Sequence, residues 1–385
     1  MSPKFKSCHL SLSHVSKFHS HVSSFSHVSK FKSCPNTVSS FNGKPPMSGI
    51  HPRVCFVSID SLPRDDHNNV VDIISDLPGL PPMERSTFPT MLRVDDVSDT
   101  FLSLMLHQFD VLHEYTAVLI NSYVELEKET WEALRLNIEP CVLVSFVGPT
   151  CPYQLLLDGA PSSNDGVHVE GSSLPRENFD CIEWLDKMPP RSVLYISFGS
   201  VFIPPPEDLL AISTAILDLK QPFLWVVREC VSAPSLSDIT PDNFVEETRS
   251  YGLIVPWAPQ LHVLSHPSIG AFLSHCGWNS TLESISLGIP MIPYPVMMDQ
   301  VTNAKFVVDI WKIGLRIKSQ IDMIEKKKLE INDMKYVLRV LFHEEEGRYM
   351  RKRAEDLRDA ARKAIQVGGT SHDDIEKFIQ VVRNT

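Results

Sequence analysis

The sequence predicts an α/β protein whose second half is a parallel sheet with crossover helices. Three observations predict it. From Cys181 onward, apolar runs of strand length alternate with short helical stretches, the pattern of a parallel sheet wound by helices. One of those runs passes through a glycine-containing turn, His275-Cys276-Gly277-Trp278-Asn279-Ser280, directly into a helix. A chain of 385 residues with 43% hydrophobic and 22% charged side chains also has a globular composition and the length of two domains.

Residues 1–50 stand apart. They hold six lysines, 14 serines, five histidines and no acidic residue. A degenerate repeat runs through them: His14-Val15-Ser16-Lys17-Phe18, His21-Val22-Ser23-Ser24-Phe25 and His27-Val28-Ser29-Lys30-Phe31. With no continuous apolar face, this low-complexity stretch is expected to be disordered. It lacks the apolar centre of a signal peptide, although a basic, serine-rich, acid-free segment also fits a transit peptide. Residues 51–160 read as a partial domain, with strands at 54–59, 117–121 and 142–147, helices at 100–117 and 126–136, and a turn-rich stop at Leu77-Pro78-Gly79-Leu80-Pro81-Pro82. Residues 161–180 are the expected linker. The domain at 181–368 has strands at 193–198, 223–228, 253–256, 270–274, 290–294 and 313–317, and helices at 206–218, 260–265, 280–287 and 300–311. The tail from Lys326 is helical, and Gly368-Gly369 sets off residues 369–385 as a last helix, expected to pack back towards the first domain.

Charge and cysteine usage exclude several classes. Outside the first fifty residues, 47 acidic groups face 30 basic ones, and a net charge of −11 argues against a nucleic-acid binder. No uncharged apolar run reaches the roughly 18 residues of a membrane-spanning helix. The eight cysteines are scattered with no C-x-x-C pair, which reads as reduced thiols of an intracellular, cytoplasmic protein.

The chemistry concentrates in the 44 residues from Trp257 to Gln300. Gly277 permits a tight strand-to-helix turn, Asn279 or Ser280 is expected to cap the helix, and the helix N-terminus offers backbone N–H groups to an anion. His275 adds a donor there. Glu283, one turn in, is placed to accept from ribose hydroxyls. Trp257 supplies a flat face for a base and Gln260 an amide, while Asp299 and Gln300 open the next helix. Each residue alone has a structural explanation, as a core side chain, a cap or a surface charge; together they describe a site for base, ribose, diphosphate and sugar.

This window resembles the signature box of the plant UDP-dependent glycosyltransferases. The match runs through Trp257-Ala258-Pro259-Gln260, Val263-Leu264, His266-Pro267, the His275-to-Ser280 core, Glu283, Gly288, Pro290, Pro295 and Asp299-Gln300. Similar stretches lie at Leu77 to Pro81, Asn121 to Glu127, Val147 to Pro149, Ile182 to Asp186, Ser197 to Ser200 and Phe223 to Val226. The resemblance implies a GT-B fold, two Rossmann-like domains facing across a cleft. It also implies roles by position. Trp257 stacks on uracil and the Ala258 backbone pairs with its edge; Gln260 and Glu283 hold the ribose; Ser200, His275, Gly277, Asn279 and Ser280 surround the diphosphate; Trp278, Asp299 and Gln300 meet the sugar. A terminal glutamine implies UDP-glucose as donor. No cofactor and no metal are implied, and the chain has no D-x-D clamp. The reaction implied is inverting glucosyl transfer to a small plant secondary metabolite, a phenolic acid or flavonoid, by a monomer.

One departure stands against the family pattern. The N-terminal Gly-His loop that carries the family's catalytic base, and the aspartate that orients it, are not found, so the N-terminal domain reads as incomplete and no catalytic residue is assigned. The alternative reading is a UDP-sugar-binding protein without transfer activity. A dinucleotide-dependent oxidoreductase is disfavoured because no G-x-G-x-x-G is present.

Overall fold

The computed structural model describes residues 73–75, 77–93, 115–138, 142–152, 155–156, 180–200, 202–228, 235–319 and 328–384. The low-complexity stretch, the strand expected at 54–59, nearly all of the 100–117 helix and all but Asp180 of the linker lie outside the described residues.

Two short strands, β1 (Ile73–Ile74) and β2 (Met83–Glu84), pair antiparallel. Strands β3 (Ala117–Ile120) and β4 (Leu143–Phe146) pair in parallel across α1 (Lys128–Ile138), with Val118 opposite Val144. After α2 (Asp180–Leu185) comes the main sheet, five parallel strands: β5 (Val193–Ser197), β6 (Phe223–Val226), β7 (Gly252–Val255), β8 (Ile269–Ser274) and β9 (Met291–Pro293), in the spatial order β7-β6-β5-β8-β9. Helix α3 (Pro206–Leu219) connects β5 to β6, and α4 (Leu236–Ile239) and α5 (Phe244–Thr248) lie between β6 and β7. Helix α6 (Gln260–Ser265) leads to β8, α7 (Trp278–Leu287) to β9, and α8 (Gln300–Lys305) continues into a wider π turn at 306–310. The tail is α9 (Ile331–His343), α10 (Glu345–Ile365) and α11 (Thr370–Asn384).

The main sheet is covered on both faces, which is why β5 and β8 are unbroken buried runs and not alternating ones. Successive side chains serve opposite layers. Val193 and Tyr195 join Phe272, Ile285, Ala354 and Ala361, the side of α7 and α10. Leu194 and Ile196 join Ile212, Ile216, Val337 and Leu341, the side of α3 and α9. At the amino end of the sheet, His266 lies between Asp186 (3.1 Å) and Ser268 (2.5 Å), and Ser268 Oγ donates to the Leu185 carbonyl at 3.1 Å. Ser268 is fully buried, so this group ties α2 to the sheet rather than presenting a nucleophile.

One expected strand is corrected. Residues 313–317 form only a single bridge, Gly314 to Met291, at the edge of β9. Lys312 just before it has φ +57°, which turns the chain sharply out of the π turn, and a β-carbon at Gly314 would stand 2.5 Å from the Met291 carbonyl oxygen. The long helix expected at 300–311 is α8 plus the π turn, and the tail breaks at Glu344 as well as at the two glycines.

Elements from the two halves of the chain are bonded together. Asp374 on α11 accepts from the Phe146 N–H (3.0 Å), Ser371 Oγ donates to the Gly148 carbonyl (2.6 Å), and the buried Tyr123 hydroxyl donates to the Leu357 carbonyl (3.0 Å). Among the described residues no helix is long and apolar enough to cross a membrane.

Candidate functional site

All five strands of the main sheet end at one edge, and four of those ends carry residues singled out by the sequence. Gly199-Ser200 follow β5, Trp257-Ala258 follow β7 with Gln260 opening α6, the His275-to-Ser280 turn follows β8, and Asp299-Gln300 follow β9. The chain builds β5, β6 and β7 in one direction, then returns to lay β8 and β9 on the other side of β5. The switch point is therefore between β5 and β8, the crevice in which open α/β sheets hold ligands.

His275 sits at that switch point, and two glycines make room for it. A β-carbon on Gly199, whose φ is +76°, would lie 2.6 Å from the imidazole, and one on Gly277 would lie 2.5 Å from Nε2. The ring is largely buried, and Nδ1 has no hydrogen-bond partner. Burial first, and the Arg228 charge second, pull its pKa down to about 4. The imidazole is thus neutral at pH 7, with one N–H to donate and one nitrogen to accept.

Helix α7 begins at the same place. Gly277 is its N-cap, and no side chain caps it. Cys276, at φ +62°, turns the chain from β8 into the helix. The first bond of the helix runs from the Thr281 N–H to the Gly277 carbonyl (3.0 Å), so the N–H groups of Trp278, Asn279 and Ser280 have no intrahelical acceptor. Those groups and the helix dipole favour an anion. The expected cap is corrected: Asn279 is exposed, and Ser280 Oγ instead accepts from Gln260 Nε2 at 2.9 Å.

Gln260 also donates to Glu283 Oε2 at 2.7 Å, and its own oxygen lies 3.4 Å from the Tyr195 hydroxyl. This joins the loop after β7 to the first turn of α7. Burial raises the Glu283 pKa, and the bond from Gln260 works against that rise. Trp257 is half-buried and Ala258 buried at the neighbouring strand end.

At β9 the side chain of Asp299 is not a cap. Asn303 Nδ2 holds its carboxylate at 2.9 Å and donates equally to the Cys276 carbonyl at 2.9 Å, tying the β9 loop to the β8 loop. Burial raises the Asp299 pKa, opposed by the Asn303 bond. Gln300 is buried, and its Oε1 accepts from the Val296 and Met297 N–H groups (2.9 and 3.1 Å). The oxygen is used inside the loop, so the NH2 group is what remains to face a ligand. The Trp278 indole N–H donates to the Asn121 carbonyl (2.8 Å), on the N-terminal side, which leaves its backbone N–H free at the start of α7. Ser200 is exposed, and its carbonyl accepts from Arg228 at 3.0 Å.

Arg228, Asn303 and Thr90 were not singled out by the sequence. Asn303 is four residues beyond Asp299 on one helix face, a spacing that signals side-chain contact. Arg228 is visible only once β6 is placed beside β5. Thr90, bonded to Met298, is 208 residues away in the chain.

Residues 160–345 match the family model described as UDP-glucoronosyl and UDP-glucosyl transferase. The chain is 36% identical to linamarin synthase 1 of Manihot esculenta over 82% of its own length and 62% of the relative's. It is 35% identical to UDP-glycosyltransferase 74D1 of Arabidopsis thaliana over 83% of its length and 66% of the relative's. It therefore spans less than two thirds of the length of these relatives. Among solved structures, Phytolacca americana UGT2 complexed with UDP-2fluoro-glucose and pterostilbene superposes with a TM-score of 0.68 at 30% identity, covering 80% of this chain and 63% of that one. The fold is GT-B, and residues 160–345 form a domain of the UDP-glucoronosyl and UDP-glucosyl transferase family.

Proposed function

We propose that the chain binds UDP-glucose along the carboxyl edge of its main sheet and belongs to an enzyme that transfers the glucose, with inversion, to a small plant secondary metabolite. The observation that carries this reading is the order of residues along that edge. From β7 to β9 there are four inter-strand steps of about 4.8 Å, roughly 19 Å in all. A stacking indole (Trp257) stands at one end, the buried His275 and the open end of α7 in the middle, and Asp299 with Gln300 at the other. Base, ribose, diphosphate and sugar of a UDP-sugar come in the same order.

In this reading Trp257 and Ala258 take the uracil, and Gln260 and Glu283 the ribose hydroxyls. Ser200, His275, Gly277, Asn279, Ser280 and the Trp278 N–H take the diphosphate, and Asp299 and Gln300 the glucose. During transfer an acceptor oxygen forms a bond to the anomeric carbon as the bond from that carbon to the phosphate oxygen breaks, and UDP leaves with the electron pair. Neutral His275 and the α7 N–H groups face the charge that develops on the leaving diphosphate, where prepositioned donors lower the barrier most. The protein is proposed to act as a cytoplasmic monomer, a placement supported by its scattered thiols.

A second reading, UDP-sugar binding without transfer, is favoured by one sequence observation: only 17 residues separate Ile59 from Leu77, too few for the strands and helices that the family resemblance implies between them. Incubation with UDP-glucose and either a flavonol or a hydroxycinnamic acid decides between them. A phenol is mostly protonated at pH 7, whereas a carboxylic acid with a pKa near ~4 is already ionised and needs no base. Glucose esters without flavonol glucosides are the expected product. Donor binding with no product from either acceptor supports the second reading, and flavonol glucosides formed readily would reveal a working base.

A further inference from the structure

The sugar end of the site is held from outside its own domain. The loop between β9 and α8 carries Asp299 and Gln300, and the residue before them, Met298, has φ +60°, a conformation that a β-carbon disfavours. Gln300 clasps this loop from within through Val296 and Met297. Both backbone groups of Met298 are instead bonded to one residue of the N-terminal half: its N–H donates to Thr90 Oγ1 (2.8 Å), and its carbonyl accepts from the Thr90 N–H (3.0 Å). One turn along, Thr302 Oγ1 donates to the Thr87 carbonyl at 2.8 Å. The segment bearing these threonines is itself braced. Arg93 Nε donates to the Phe88 carbonyl (2.8 Å), and buried Phe88 belongs to a small apolar cluster that includes Phe306, just past α8.

We propose that Thr90 is a positioning residue for donor selection: it fixes the strained Met298 and so sets where Asp299 and Gln300 meet the sugar. The inference rests on the reading of those two residues as sugar contacts. Strain of this kind persists where surrounding contacts over-determine the backbone, and at Met298 the over-determining contact comes from Thr90. Its hydroxyl touches the loop only at the sugar end, so its loss acts on the sugar and not on the uridine.

The test is calorimetric titration of the full chain with UDP and, separately, with UDP-glucose, for the wild type and for Thr90→Val, Thr90→Ser and Asp299→Asn. Thr90→Val keeps the shape and the backbone bond but leaves the Met298 N–H without an acceptor. It is expected to weaken UDP-glucose about tenfold while UDP changes by less than about twofold. Thr90→Ser restores the acceptor and is expected to match the wild type. Equal loss of both ligands, or loss of neither, in Thr90→Val overturns the proposal while leaving UDP binding by the edge intact. If Asp299→Asn also leaves UDP-glucose affinity untouched, the sugar assignment falls and the inference with it. If the wild type binds neither ligand, the donor reading itself is wrong. Should Thr90→Val fail to fold, Thr302→Val cuts the other side-chain bond across the same joint. The same selective loss, smaller in size, is expected there, and an equal loss of both ligands again overturns the proposal.

Discussion

Two parallel arrangements share this chain and differ in what holds them. The main sheet, β5 to β9, is buried on both faces and makes its site from its own connections: Gln260 to Glu283, Asn303 to Cys276, His275 between two glycines. The β3-β4 pair is thinner. Leu119 is 45% exposed, and the flanking residues are held by groups of the other half, from Trp278, Trp311 and Asp374. A self-supporting edge is fit to bind a donor by itself, whereas the N-terminal residues take their positions from it. In the opposite direction, Thr90 and Thr87 hold the segment from Met298 to Thr302.

The sharpest way to break this contrast is Gly277→Val. A branched side chain would enter the space of His275, and overpacking of that order amounts to about a hundredfold loss of UDP affinity. Calorimetry on the folded variant is the check; unchanged affinity would mean that His275 and its glycines are not at the phosphate site.

Acid stability gives a second test. The pKa of His275 is lowered in the folded protein, so between pH 6.5 and about 4 the unfolded chain binds a proton that the native one refuses. Stability from this group is therefore complete above pH 6.5 and lost as pH falls to about 4, by up to about 3 kcal/mol. Half-buried Glu283 and Asp299 have raised pKa values and work with the opposite sign, but they are common to wild type and His275→Asn. Denaturant melts of the two proteins at pH 7 and pH 4.5 should thus show the wild type losing more; equal losses would place His275 in an open, solvated position.

Asp374→Ala sharpens the other side of the comparison. It leaves the buried Phe146 N–H without an acceptor, at a cost of about 1–3 kcal/mol. Thermal unfolding should shift down while UDP affinity stays level. A parallel fall in UDP affinity would show that the donor edge depends on the β3-β4 pair after all.

What was legible in the sequence follows the range of the interactions. The strand-turn-helix of 269–287 could be read because glycine, histidine and helix start lie within a few residues, and their geometry is local. Gln260 and Glu283 were expected, by resemblance, to hold the ribose; their bond to each other was not legible, because it depends on β7 and β8 being placed on opposite sides of β5. Which polar atoms of Trp278 and Gln300 are already occupied was not legible, because it is decided by partners such as the Asn121 carbonyl, 157 residues away. Helices as short as α4 and α5, of four and five residues, carry too little periodicity to be read, and the bridge at Gly314 is too short for a strand signal.

The measurement that bears most directly on the donor edge is titration of the full chain with UDP, repeated with Trp257→Ala. The indole is half-buried at the end of β7 and is assigned the uracil face, and comparable base stacking is worth roughly 1–3 kcal/mol. Binding by the wild type, weakened about ten- to a hundredfold in the variant, is the expected result. No UDP binding by the folded wild type, or an affinity that Trp257→Ala leaves unchanged, would contradict it.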